Sequence, residues 1–160
     1  MVLASHIIVS GLLASQTGNY FLAALIGFIS HYILDAIPHW DNYLSLNFKP
    51  RAENEKGFLW HKFFIKEAVK IAVDIFAGLI ILFLLFRIFE PVNVFPALIG
   101  IFFGILPDPL QLLYFITKWK LLKLNADFQY AIQKIKQGFA LGVITQIATI
   151  ALIFAATLYL

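Results

Sequence analysis

Apolar residues run in five long stretches along this chain, and the polar residues between them fall into two tight breaks and two extended ones. The stretches cover about Val2 to Ser15, Tyr20 to Ile37, Val69 to Phe89, Val94 to Leu106 and Gly138 to Leu160. A helix needs about 20 residues, in a range of about 17–25, to cross the hydrocarbon core of a bilayer. The third and fifth stretches meet that length comfortably and the second just meets it. The first and fourth are short, and are expected to be tilted partners buried against the others, or partly re-entrant. The pattern predicts an all-α polytopic membrane bundle of about five membrane-embedded helices in a single domain, residues 1–160.

The tight breaks, Gln16-Thr17-Gly18-Asn19 and Glu90-Pro91-Val92-Asn93, carry turn residues and should close helical hairpins. The extended breaks, about Pro38–Ala68 and Pro107–Gln137, hold most of the charge and also Trp40, Trp60 and Trp119, where an aromatic belt would sit. Within the second, the spacing of Phe128, Ile132, Ile135 and Phe139 predicts an amphipathic helix lying on the membrane before the last span.

Composition agrees with this pattern. The chain is 61% hydrophobic and 13% charged, with a mean hydropathy of +0.86, whereas a soluble domain averages about 45–50% apolar and about 25% charged residues. With no cysteine, disulfides, thiolate metal sites and cysteine nucleophiles are excluded. No Lys or Arg precedes the first apolar run and His6 interrupts it, so Met1–Ser15 is expected to belong to the mature fold. The pI near 9.2 comes from basic residues flanking apolar spans. Membrane lipid headgroups are the expected partner, and nucleic acid is not.

Eleven of the twelve basic residues (Lys49, Arg51, Lys56, Lys62, Lys66, Lys70, Lys118, Lys120, Lys123, Lys134 and Lys136) fall on the side of the extended breaks, and only Arg87 lies towards the hairpin turns. The positive-inside rule then places the N-terminus and both long charged segments in the cytoplasm.

A short repeat adds geometry. Ala24-Leu25-Ile26-Gly27 recurs as Ala97-Leu98-Ile99-Gly100, and at the same offset Asp35 aligns with Asp108. This predicts two hairpins related by a pseudo-twofold axis along the membrane normal, with function at their interface, followed by a C-terminal span. Up-and-down threading would bring His6, Asp35, Asp74 and Asp108 to one side.

His31, Asp35 and His39 are spaced at i, i+4 and i+8, so the first two share a helical face. Pro38 disfavours helix at Ile37, leaving His39 and Asp41 on the turn beyond, free to fold back. Imidazoles and carboxylates in one run suit a divalent metal ion such as zinc, manganese or magnesium, and ionisable groups inside spans are functional candidates by default. The plain alternative is a polar helix end in the headgroup zone. Asp74 has an alternative partner in Lys70, one turn earlier. Asp108-Pro109-Leu110-Gln111 also reads as a helix cap. His6 could bond a neighbouring helix, and His61 reads as interfacial. No glycine-rich phosphate loop, Gly-x-Ser-x-Gly or His-Glu-x-x-His is present, so metal-activated water is the credible nucleophile of any enzyme here.

Three places carry a resemblance: Ser5-His6-Ile7-Ile8; Gly27-Phe28-Ile29-Ser30-His31-Tyr32-Ile33-Leu34-Asp35, similar to a Gly-x-x-Ser-His-x-x-x-Asp helix; and Leu106-Pro107-Asp108. Here the chain resembles the bacterial membrane-bound family of metal-dependent hydrolases whose members include a LexA-regulated inner-membrane protein. It departs in that Pro109, Leu110 and Gln111 follow Asp108, and no His-Arg-x-x-Thr-His segment is present. The resemblance implies a membrane metal site using His6, His31, Asp35 and Asp108.

The resulting expectation is a membrane metal-dependent hydrolase acting on a phosphoester or lipid-like substrate at the cytoplasmic interface. His31, Asp35 and His39 are its core ligands, His6, Asp74 and Asp108 complete them, and Asp41 and Asp108 are the candidate catalytic carboxylates. A small transporter or ion-binding module is the alternative, and a non-catalytic membrane scaffold is another.

Overall fold

The computed structural model describes residues 1–40, 62–88, 93–133 and 138–159, and among them the chain is a helical bundle without strands. Its helices are α1 (Leu3–Ser15), α2 (Tyr20–Ala36), α3 (Lys62–Phe86), α4 (Val94–Ile105), α5 (Pro107–Thr117), α6 (Lys120–Ile132) and α7 (Phe139–Thr157). Three runs are long and apolar enough to cross a membrane: Ala68–Phe86, Val94–Thr117 and Phe139–Thr157. At 13 and 17 residues, α1 and α2 are shorter.

The short first stretch is the centre of the bundle. Helix α1 packs against α2, α3, α4 and α7, and Ile7, Ile8, Val9 and Leu12 are at most 2% exposed. An apolar helix that is buried all round needs no polar stripe, and this one has none. By contrast α3 and α7 leave Val73, Phe76, Phe83, Ile144, Ile147 and Leu152 exposed, as a lipid-facing surface would.

Small residues let α1, α2 and α4 approach closely. A Cβ on Gly27 would collide with the backbone of Gly100, and one on Gly100 with Ala14 Cβ and the Ser10 carbonyl. Gly27 and Gly100 are the matching glycines of the sequence repeat, and they lie directly against each other. The next turn keeps the register, since the His31 ring bonds the Gly104 carbonyl, again 73 residues on. Repeat-equivalent residues meeting along two parallel helices are what a local twofold places at its axis. The relationship is carried by α2 and α4, while α3 packs on α1.

Helix α2 begins at Asn19, whose side chain accepts from the N–H groups of Phe21 and Leu22, and ends at Ile37, which is extended at φ −72°, ψ 133° before Pro38. The fourth stretch was expected to stop at Leu106. Instead Leu106 is itself helical, at φ −58°, ψ −38°, so α4 adjoins α5. Pro107 and Pro109 cannot donate to the helix ladder, and side chains serve the carbonyls around the joint: His31 at Gly104 and Asn125 at Pro107. Residues 107–117 are therefore apolar helix, not part of a charged loop.

The amphipathic stripe expected over Phe128–Phe139 is also revised. Helix α6 ends at Ile132, Phe139 opens α7, and Ile135 lies outside the described residues. Phe128 is 52% exposed, touching the Tyr32 ring by its edge, whereas Ala126 and Gln129 are the buried positions. What turns α6 inward is a polar face. Trp40 likewise packs into the protein, against Gly142 and the Phe139 ring, while Trp119 stays exposed and Trp60 lies outside the described residues.

Candidate metal centre

Threading gathers the polar residues at one end of the bundle. Helices α1 and α3 run in the same direction, with Gly78 against Ala4, and α2 and α4 run against them. The start of α1 thereby meets the end of α2 and the α4–α5 joint.

Asp35 is the hub, 2% exposed. Its Oδ1 accepts from the Met1 ammonium at 2.6 Å and its Oδ2 from Gln133 Nε2 at 2.5 Å. His6 Nε2 lies 3.2 Å from Oδ1, and His31 Nε2 lies 3.3 Å from Oδ2 and 3.5 Å from Asp108 Oδ1. The His6 and His31 rings stack, with centroids 4.2 Å apart and an interplanar angle of 22°. His39 folds back as its position beyond Pro38 suggested: it is 4% exposed, its Nδ1 donates to the Ile37 carbonyl at 2.6 Å, and its Nε2 is 4.0 Å from Asp35 Oδ1.

Two observations bear on a cation. First, His31 Nδ1 lies 2.8 Å from the Gly104 carbonyl, which can only accept, so Nδ1 carries a proton. In the neutral ring Nε2 then presents its lone pair to the centre of the cluster, the usual arrangement of a metal-binding histidine. Second, His6 is 1% exposed; its Nε2 faces Asp35 Oδ1 at 3.2 Å, and its Nδ1 has no hydrogen-bond partner. A buried ring nitrogen without a partner is costly, and a cation bound there would satisfy it.

His6, His31 and Asp108 each offer one ligand atom, all within 4.8 Å of one another, and this group could hold a metal ion. Two nitrogens and a carboxylate oxygen suit zinc or manganese. The expected ligand Asp35 spans the Nε2 edges of the two stacked rings, with both oxygens already accepting hydrogen bonds. Asp74 lies on α3, four residues before Gly78, and so at the same end of the bundle. It is outside the metal-capable group among the described residues. Asp41 and His61 lie outside the described residues.

Asp108 is not a helix cap. Leu106 occupies the cap position with no side-chain bond, and Asp108 is in the first turn of α5, its carboxylate turned to His31 and Gln129. At 29% side-chain exposure it is the most accessible member of the metal-capable group, against 1% for His6 and 0% for His31.

Sequence reasoning missed the amides. Gln129 Nε2 donates to His31 Nε2 at 3.2 Å and to Asp108 Oδ1 at 3.4 Å. Asn125 joins Tyr32 to the Pro107 carbonyl. Gln146, inside α7, donates to the Trp40 carbonyl and accepts from Val2 N and Ser5 Oγ. A signal was present: Asn125, Gln129 and Gln133 are spaced at i, i+4 and i+8, the same interval as His31, Asp35 and His39. Gln129 meets His31 and Gln133 meets Asp35, so the two polar faces interlock turn for turn.

These features define an all-α bundle with membrane-length helices and a buried histidine–carboxylate cluster that could hold a metal. No family model, curated protein or solved structure matches the chain.

Proposed function

We propose that the chain is an integral inner-membrane, metal-dependent hydrolase, with the cluster at the cytoplasmic face and a phosphoester or lipid-like molecule as substrate. The observation that carries this reading is the convergence of His6, His31 and Asp108 from α1, α2 and α5, with the His31 tautomer set by the Gly104 carbonyl. A divalent cation held by these three residues (zinc, manganese or magnesium) would supply Lewis acidity and a nucleophile at neutral pH.

The chain's own residues have separate tasks. Asp35 steadies both imidazoles, and the Gly104 carbonyl holds the His31 ring in one orientation. The α6 amides cover the pocket from water. Asp108, the member with the most access, would hold the cation through one carboxylate oxygen and could accept a proton from water through the other, and Asp41 is the second candidate base. The positive-inside asymmetry favours the cytoplasmic placement, and the resemblance to the bacterial hydrolase family supports the reaction class.

A transporter would place its site near the midplane with access from both sides, whereas this cluster lies at one end. The non-catalytic scaffold is favoured by one observation, namely that the cluster ties α1, α2, α5 and α6 together. That reading predicts no metal.

The test uses purified full-length protein in detergent, stripped with a chelator and then supplied with zinc, manganese or magnesium. Hydrolysis of soluble and lipid phosphoesters should return only with the metal. In Asp108→Asn it should fall by about 100-fold or more, as expected when a general base is lost. Stoichiometric metal without turnover would reject the hydrolase, and absence of both would favour the scaffold.

A further inference from the structure

Helix α6 buries an amide and leaves hydrocarbon outside. Gln129 is 0% exposed, while Leu121, Leu124 and Phe128 on the same helix are 73%, 78% and 52% exposed. A carboxamide offers two N–H donors and a carbonyl acceptor. The Nε2 group of Gln129 is held by His31 Nε2 at 3.2 Å and Asp108 Oδ1 at 3.4 Å, but Oε1 is buried with no hydrogen-bond partner. A buried carbonyl in that state is unfavourable and calls for an explanation.

The two acceptors of Gln129 are both members of the metal-capable group, His6, His31 and Asp108. If a cation takes the His31 Nε2 lone pair, that atom can no longer accept from Gln129. A half-turn of the carboxamide about Cγ–Cδ exchanges its oxygen and nitrogen while the stem stays in place. Oε1 then stands about where Nε2 now is, close to 3.2 Å from His31 Nε2 and 3.4 Å from Asp108 Oδ1, two of the three donor atoms. Donor atoms around a tetrahedral ion with bonds of about 2.0–2.1 Å lie about 3.3 Å apart. One side-chain rotation therefore brings the orphaned oxygen to tetrahedral spacing from two of the three donors, His31 and Asp108.

We propose that Gln129 is the fourth protein ligand of the cation, binding through Oε1, its amide changing from proton donor in the metal-free protein to oxygen donor in the metal-bound one. This rests on a cation being held by His6, His31 and Asp108, as in the function proposed above. A neutral amide is the weakest donor of the four, so Gln129 is the ligand that yields to water or to a substrate oxygen. It thereby closes the site at rest and leaves a coordination position available for chemistry.

The test is cobalt(II) binding to full-length protein in detergent, read as affinity and as the visible ligand-field spectrum. Three proteins are compared: wild type, Gln129→Met, which keeps the side-chain length without the oxygen, and Gln129→Glu, which restores an oxygen. The methionine variant is expected to bind about 10-fold to 100-fold more weakly with an altered spectrum, and the glutamate variant to keep at least wild-type affinity. Wild-type affinity and spectrum in Gln129→Met would overturn the assignment while leaving the three-residue site standing. If wild-type protein binds neither cobalt nor zinc, the metal site itself is rejected and the assignment with it. Should the methionine variant fail to fold, the glutamate variant decides alone, and affinity below wild type overturns the assignment.

Discussion

Replacing His31 with alanine is expected to remove stoichiometric metal from the purified protein and to lower its stability by about 3–5 kcal/mol, the usual cost of breaking a buried polar pair from one side. The ring carries several roles at once. Its Nδ1 caps the Gly104 carbonyl, its Nε2 faces Asp35, Asp108 and Gln129, and its face stacks on His6. Alanine would leave Asp35 and Asp108 looking at each other across a void and would take away one of the three donors of the metal-capable group. Elemental analysis and thermal unfolding in detergent read the two effects separately. Full metal occupancy in the variant would reject His31 as a ligand, and an unchanged melting temperature would contradict the network described here.

The second large effect is expected at the crossing of α1 and α4. Gly100→Val should prevent these helices from closing, because its side chain would meet Ala14 Cβ and the Ser10 carbonyl. Overpacking of ordinary side-chain contacts costs about 1–3 kcal/mol. This clash involves backbone, which cannot rotate aside, so the loss should be at the top of that range or above it. The effect would reach the site as well, since Gly104 follows one turn later and its carbonyl orients His31. Gly138→Ala is the control, because nothing lies within 4 Å of a Cβ there. Equal melting temperatures for Gly100→Val and Gly138→Ala would refute the close crossing.

Much of the helical layout could be read from hydropathy. The apolar stretches beginning at Val2, Tyr20, Val94 and Gly138 correspond to α1, α2, α4 and α7 within a few residues. The reason is physical: a bilayer-facing or fully buried segment tolerates almost no polar side chain, so the boundaries are sharp. Two prolines were read correctly and one was not. Pro38 ends α2 as expected and Pro109 sits in the first turn of a helix as its place after Asp108 suggested, but that helix already begins at Pro107, where a missing N–H costs little. At the site, the His31–Asp35 pair was visible because its spacing alone fixes a common face. The grouping of His6 with Asp108 followed from counting helix directions. The amides were overlooked because Asn and Gln are ordinary residues in a charged, surface-like segment. Only their burial against α2 reveals a role, and burial depends on the α5–α6 turn at Lys118, whose φ of 55° is set locally.

His6 is supplied by α1, which the other helices enclose, whereas only 11% of the α3 span and of the α7 span is buried. Lipids of different chain length therefore act on the outer helices, which can tilt to match them. The ligand-bearing centre is shielded from that adjustment, much as an inner bearing is from its housing. Cation affinity should accordingly be the same in thin and thick vesicles, and a clear dependence on acyl-chain length would mean that lipid reaches the core after all.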